Sequence, residues 1–236
     1  MKTKFSKLFV LLLVGLTIGS CKKEHVDDTP TQENEIQQNE KHWETTDPDT
    51  IAKITAELKK AQTEANSSTN YRNFNITYND ATPSDILPLI KREIDEIYST
   101  DIKRTSIAKM DDIPVIDIRA TSSGGMFYNG TVVITDFAAF RRVTSSTGNV
   151  VFHELIHYMH DKKISGGFNN AQNLANYDRV IKGNIYPQGS YVRSNPREYL
   201  ATSAEAFFTE TGRPPYNRAT VQSSDKPMND FINTNL

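Results

Sequence analysis

The chain has 236 residues, a net charge of −2, 37% hydrophobic residues and one cysteine, so it can bury one sizeable core but cannot cross-link it with an internal disulfide. Charge is nearly balanced and no basic stripe interleaves with aromatics, which argues against a nucleic-acid partner.

Residues 1–20 read as a lipoprotein signal peptide. Lys2, Lys4 and Lys7 precede an apolar run from Leu8 to Ile18, too short and wrongly flanked to span a membrane. The segment Ile18-Gly19-Ser20-Cys21 resembles a bacterial lipobox, which implies lipidation of Cys21 and an exported protein held to the membrane of the bacterial cell envelope by that anchor. Residues 21–50 read as a disordered acidic tether, with nine acidic residues against three lysines from Lys22 to Thr50 and little to bury except Val26, Ile36 and Trp43. Trp43 is expected to dock at its end. Residues 51–236 carry a charge near zero and read as one domain.

Within that domain, Asp49 to Asn66 places Ile51, Ile54, Leu58, Ala61 and Ala65 at helical spacing. Phe74 to Tyr78 alternates like a strand, and Ser84 to Tyr98 predicts a helix that tolerates Pro88 only in its first turn. Ile113 to Arg119 and Met126 to Thr135 predict strands, the second interrupted by a hairpin or bulge at Asn129-Gly130. Gly130 to Asp136 reads first as an ordinary sheet strand, and alternatively as an edge that an extended peptide joins by strand addition. A helix around residues 150–163 has Asn149 or Thr147 as its cap and Lys162 and Lys163 in its last turn. An irregular Asn- and Gly-rich rim from Gly166 to Gly189 follows, then a final helix starting at Asn195-Pro196. The layout is α+β with a small mixed sheet.

Residues 153–157 read His-Glu-Leu-Ile-His. On a helix, His153 and His157 share a face and can bind one ion, while Glu154 stands beside them as a base, the arrangement of a zinc hydrolase and above all a peptidase. A catalytic zinc takes three protein ligands and leaves a position for water, so one ligand remains to be found. The longer metzincin pattern HExxHxxGxxH is excluded, because His160 stands at its glycine and Lys163 at its last histidine. His160 lies a turn further along the axis and reads as outside the ligand set. Asp161 and Asp178 read as solvated charges before histidine-orienting carboxylates. In the final helix Glu198 and Glu205 share a face, and spacing alone leaves both open as the third ligand.

The string Tyr191-Val-Arg-Ser-Asn-Pro-Arg-Glu198 and the following helix through Glu205 resemble the active-site segment of the anthrax toxin lethal factor and Pro-Pro endopeptidase family. That resemblance, covering roughly residues 147–210, implies a zincin-like (gluzincin) metallopeptidase domain. It implies Zn2+ held by His153, His157 and Glu198, with Glu205 the alternative third ligand, Glu154 as general base and Tyr191 as catalytic tyrosine. One departure is Thr202, which stands where the family carries a second glutamate. The expected function is hydrolysis of peptides or proteins outside the cytoplasm. The alternative is a surface-displayed zinc-binding lipoprotein without turnover, against which the intact Glu154 argues.

Overall fold

The computed structural model describes residues 43–61, 66–146 and 148–236. Residues 1–42, on which the expected signal peptide, the lipidation expected at Cys21 and most of the expected tether fall, lie outside the described residues. Within 43–50 Trp43 is buried, 4% exposed, and helix α1 (Pro48–Lys60) has already begun. Asp47 caps that helix, its carboxylate accepting from the Thr50 amide at 2.8 Å, and Pro48 opens the first turn, where a missing amide hydrogen costs nothing.

The predicted helix runs too long, since α1 stops at Lys60 and β1 (Asn66–Tyr71) pairs antiparallel with β2 (Phe74–Asn79). Arg72 and Asn73 both take positive φ, 46° and 74°, in the two-residue turn that such a hairpin requires. β1 is largely exposed, so it carries no apolar alternation by which a strand is recognised in sequence.

Five strands form one mixed sheet in the order β1-β2-β3-β5-β4. β3 (Ile116–Asp117) lies parallel to both β2 and β5 (Val132–Ile134), and β4 (Met126–Tyr128) folds back antiparallel on β5 through a turn in which Gly130 has φ 77°. Strand alternation divides the core. Phe127 and Val133 point to one face, where Ile54 and Leu58 of α1 cover them. Met126, Val132 and Ile134 point to the other, with Ile76 and Ile116, into the main core. β5 is therefore an interior strand, and the free edge near the histidines belongs to β4.

The main core is built by α2 (Ile86–Ser99), α3 (Arg104–Met110), α4 (Phe137–Ser146), α5 (Val150–Lys162), α6 (Ala171–Gly183), α7 (Pro196–Thr209), α8 (Arg218–Ser224) and α9 (Lys226–Asn235). The rim expected to be irregular from Gly166 to Gly189 holds α6. Asn170 caps it, accepting from the Asn173 amide at 2.8 Å, and Asn184 ends it in the left-handed region with φ 48°. The asparagines that suggest a loop are thus largely its punctuation. Beyond the helix expected to be last, α8 and α9 return across α7, and Asp225 joins them. Its carboxylate caps α9 through the Met228 amide, receives the phenols of Tyr199 at 2.7 Å and Tyr186 at 3.3 Å, and pairs with Arg179. Among the described residues no helix is long and apolar enough to cross a membrane.

Candidate metal centre

α5 is buried on every side from Val150 to His160, which an isolated helix of this composition would not tolerate and a central core helix requires. Its first turn leaves amides without intrahelical partners. Asn149 accepts from the Phe152 amide at 2.8 Å, Glu93 from the Val151 amide at 2.9 Å, and Glu205 from the Asn149 amide at 2.9 Å. α7 lies against α5 with Ala201, Thr202, Ser203, Ala204 and Ala206 buried, side chains small enough for two backbones to approach closely. Asn195 caps α7, accepting from the Arg197 and Glu198 amides at 2.9 and 3.2 Å. The Glu198 carboxylate is turned toward the histidines.

There the two helices meet. His153 Nε2 lies 3.1 Å from Glu198 Oε2, and His157 Nε2 lies 3.4 Å from the same oxygen. A fourth donor arrives from outside both helices, since Glu44 places Oε2 3.8 Å from His153 Nε2 and Oε1 3.6 Å from His157 Nε2. One ligand atom from each of Glu44, His153, His157 and Glu198 falls within 4.8 Å of all the others. Donors about 2.0–2.1 Å from a tetrahedral ion stand roughly 3.3 Å apart, close to the 3.1 and 3.4 Å between the Glu198 oxygen and the two imidazoles. The chemistry of the donors agrees: two imidazoles and two carboxylates are a set for a divalent ion, and the buried His157 Nε2 and both Glu154 carboxylate oxygens have no hydrogen-bond partner.

The electrostatics of the cluster are those of crowded carboxylates. Burial, with Glu198 and Glu154 close by, pushes the Glu44 carboxyl well above its ordinary range despite the opposing pull of Arg213. Burial also raises Glu154 to about 7, against the lowering influence of both histidines. For Glu198 burial acts upward but is outweighed by His157 and His153, which hold it well below the usual range. A cation at the centre relieves the repulsion among Glu44, Glu154 and Glu198.

Glu205 lies on the other side of His153. Its Oε2 is 3.2 Å from His153 Nδ1 and accepts from Arg213 Nη2 at 2.6 Å. Burial again acts upward on this carboxyl, but Arg213 and His153 hold it at about 2. Glu205 therefore fixes which way the imidazole faces, and it does not belong to the four-donor cluster.

Tyr191 is buried beside the cluster, its ring centroid 6.1 Å from that of His153. His160 is outside the donor group and packs edge-on against Phe168 at 5.1 Å. Asp161 accepts from the Tyr128 phenol at 2.9 Å and Asp178 pairs with Lys182, so neither orients a histidine ligand. Two participants escaped the sequence reading. Arg213 gives no motif, and Glu44 is one of nine acids in a tract whose single aromatic, Trp43 beside it, is the only hint of a packed segment. A cleft of about 510 Å³ opens from the cluster, lined by Glu44, Thr45, His157, Phe168, Arg197 and Glu198 among others.

Compared with known proteins, the chain matches no protein-family model and no curated sequence. Among solved structures it is similar to the PRO-PRO endopeptidase PPEP-2 from Paenibacillus alvei, with a TM-score of 0.44 and 13% sequence identity over 67% of this chain and 96% of that one. That likeness is too distant to assign a family.

Proposed function

We propose that this protein is a zinc-dependent endopeptidase acting outside the cytoplasm, lipid-anchored through Cys21 and carried on a gluzincin-type catalytic domain. The observation that carries this reading is the convergence of His153, His157 and Glu198 from two capped, buried helices on one point, with the unpartnered Glu154 carboxylate beside it. These three side chains would hold zinc. When bound, zinc supplies Lewis acidity toward a water molecule and the scissile carbonyl.

The remaining work falls to the chain's own residues. Glu154, buried beside the first histidine with both carboxylate oxygens unpartnered, takes a proton from the attacking water and delivers it to the leaving amine. The Tyr191 phenol donates to the oxyanion that develops on the carbonyl oxygen. Glu205, clamped by Arg213, keeps His153 Nδ1 engaged so that Nε2 faces the cluster. The edge of β4 favours a peptide as substrate, because its backbone lies beside the cluster and already takes a hydrogen bond from another segment of chain: the Thr45 amide donates to the Met126 carbonyl at 2.8 Å.

A second reading, a zinc-binding lipoprotein without turnover, has one observation in its favour: Glu44 completes a four-donor shell of the kind found in closed, structural sites. The two are separated by measuring zinc stoichiometry and hydrolysis of a quenched-fluorescence peptide library by the wild type and by Glu154→Gln. The peptidase reading expects one zinc per chain in both and cleavage only in the wild type. Zinc bound by a wild type that cleaves nothing, and that still cleaves nothing when Glu44 is replaced by Gln, would favour the binding protein.

A further inference from the structure

The segment Trp43-Glu44-Thr45 lies between the donor cluster and the β4 edge. Trp43 sets its ring edge-on against His153 at 4.8 Å and tilted against Tyr191 at 5.8 Å. The Arg213 guanidinium closes over it, 4.5 Å from the Trp43 ring and 4.9 Å from that of Tyr191. Thr45 forms a two-way contact with the β4 edge, its amide donating to the Met126 carbonyl at 2.8 Å and its hydroxyl accepting from the Met126 amide at 3.2 Å. Glu44, between these anchors, presents its carboxylate to both histidines, and its side chain is only 7% exposed.

The seat is shaped for this segment. A Cβ on Gly125 would come within 2.8 Å of the Thr45 hydroxyl and 2.6 Å of Ile54 Cδ1, so the absence of a side chain there is what admits Thr45 to the strand edge. The other three donors come from helix interiors or first turns fixed by core packing, whereas Glu44 comes from irregular chain outside the body of α1. A hydrolytic zinc keeps its fourth position for water, whereas a zinc held by His153, His157 and Glu198 would have the Glu44 carboxylate of the same chain beside that position.

We propose that residues 43–45 are an autoinhibitory plug: Glu44 occupies the fourth metal position, Thr45 takes the place of a substrate residue on the β4 edge, and Trp43 latches the segment beneath Arg213. This inference rests on the peptidase reading above. Turnover requires the plug to leave, so a peptide that adds to the same edge competes with Thr45, and severing or displacing the chain at this point activates the enzyme. The latch also ties inhibition to the catalytic groups themselves, because Trp43 covers Tyr191 and His153 together.

The test uses the full chain loaded with zinc, comparing wild type with Glu44→Gln, which keeps the side-chain shape, and Thr45→Pro, which removes the donor to Met126 and, by restricting the backbone of Glu44, unseats the plug while leaving His153, His157 and Glu198 unaltered. Zinc affinity is measured by chelator competition, turnover with the quenched peptide library, and plug seating by fluorescence of Trp43, the only tryptophan in the chain. Glu44→Gln is expected to weaken zinc about tenfold and raise kcat/KM at least tenfold. Thr45→Pro is expected to shift Trp43 emission to the red and to raise turnover while zinc remains bound. If the wild type cleaves and both variants bind zinc as it does and cleave no faster, or if Glu44→Gln abolishes that cleavage, the plug is overturned while the peptidase stands; zinc bound without cleavage in all three overturns both. Absence of zinc and of cleavage in all three overturns both.

Discussion

The Glu205 carboxylate is divided between Arg213 and His153: Oε2 accepts from Arg213 Nη2 at 2.6 Å and lies 3.2 Å from His153 Nδ1, and Oε1 holds the Asn149 amide at the start of the same helix. Glu205 is 1% exposed, so its charge depends on these partners. Arg213→Met should destabilise the metal-free protein at pH 7 by about 3 kcal/mol, the usual cost of stranding one member of a buried pair. The sign with pH follows from the depressed pKa. The stabilisation is complete above the unfolded value near 4.5 and is lost as pH falls toward the folded value of about 2. Urea unfolding of wild type and variant should therefore differ most at neutral pH and converge in acid. A gap that is constant with pH would show that Arg213 acts through packing on Trp43 and Tyr191.

Glu198 and Glu205 make different contacts with the same imidazole, and zinc content separates their roles. Glu198→Ala should lose zinc during dialysis. Glu205→Ala should keep one zinc per chain with an affinity weakened roughly 10–100-fold, the range seen when the partner of a ligating histidine is removed. Equal loss from both variants would exclude this division.

Tyr191→Phe keeps the ring that packs on Trp43 and His153 and removes only the hydroxyl. If the phenol donates to the developing oxyanion, kcat should fall by roughly 10²–10³-fold, equivalent to about 3 kcal/mol, with KM little changed. A rise in KM at constant kcat would place Tyr191 in substrate binding instead.

Glu93 carries a cost that its variant should remove. It is buried, Oε2 accepts from the Val151 amide at 2.9 Å, and Oε1 has no partner, so burial pushes its pKa well above the ordinary 4.5. A carboxyl whose folded pKa is raised stabilises the fold fully below the unfolded value and loses that contribution as pH rises through the folded one. Glu93→Gln retains an acceptor for Val151 and cannot ionise. It should match the wild type near pH 4 and exceed it by about 1–3 kcal/mol at pH 8, read as a higher unfolding midpoint. A variant less stable than wild type at pH 8 would mean that the charge is stabilised by the amino end of α5.

The helices with a strong apolar stripe and a capping residue were legible in sequence because those signals are local. α2 follows Ile86, Ile90, Ile94 and Ile97, α5 begins at Asn149 and α7 at Asn195-Pro196, as their spacing and caps predict. α6 was hidden because Asn173 and Asn176 are buried through hydrogen bonds to the Pro196 and Pro227 carbonyls, partners that exist only after folding. Asn and Gly usage therefore suggested a loop. β1 was hidden for the opposite reason, because an exposed strand is held by its ladder to β2 and not by side-chain burial.

By itself the sequence determined the α+β class, the helix that brings His153, Glu154 and His157 together, and Glu198 and Glu205 as competitors for the histidines, because helical geometry converts spacing of three, four or seven residues into a shared face. Only the tertiary structure decided that Glu198 meets Nε2 while Glu205 meets Nδ1, that Arg213 holds Glu205, that β4 forms the free edge, and that Glu44 reaches the centre. These are contacts between segments far apart in the chain. Their geometry depends on how α7 packs on α5 and how the residues before α1 meet the β4 edge, and no local pattern of residues encodes either.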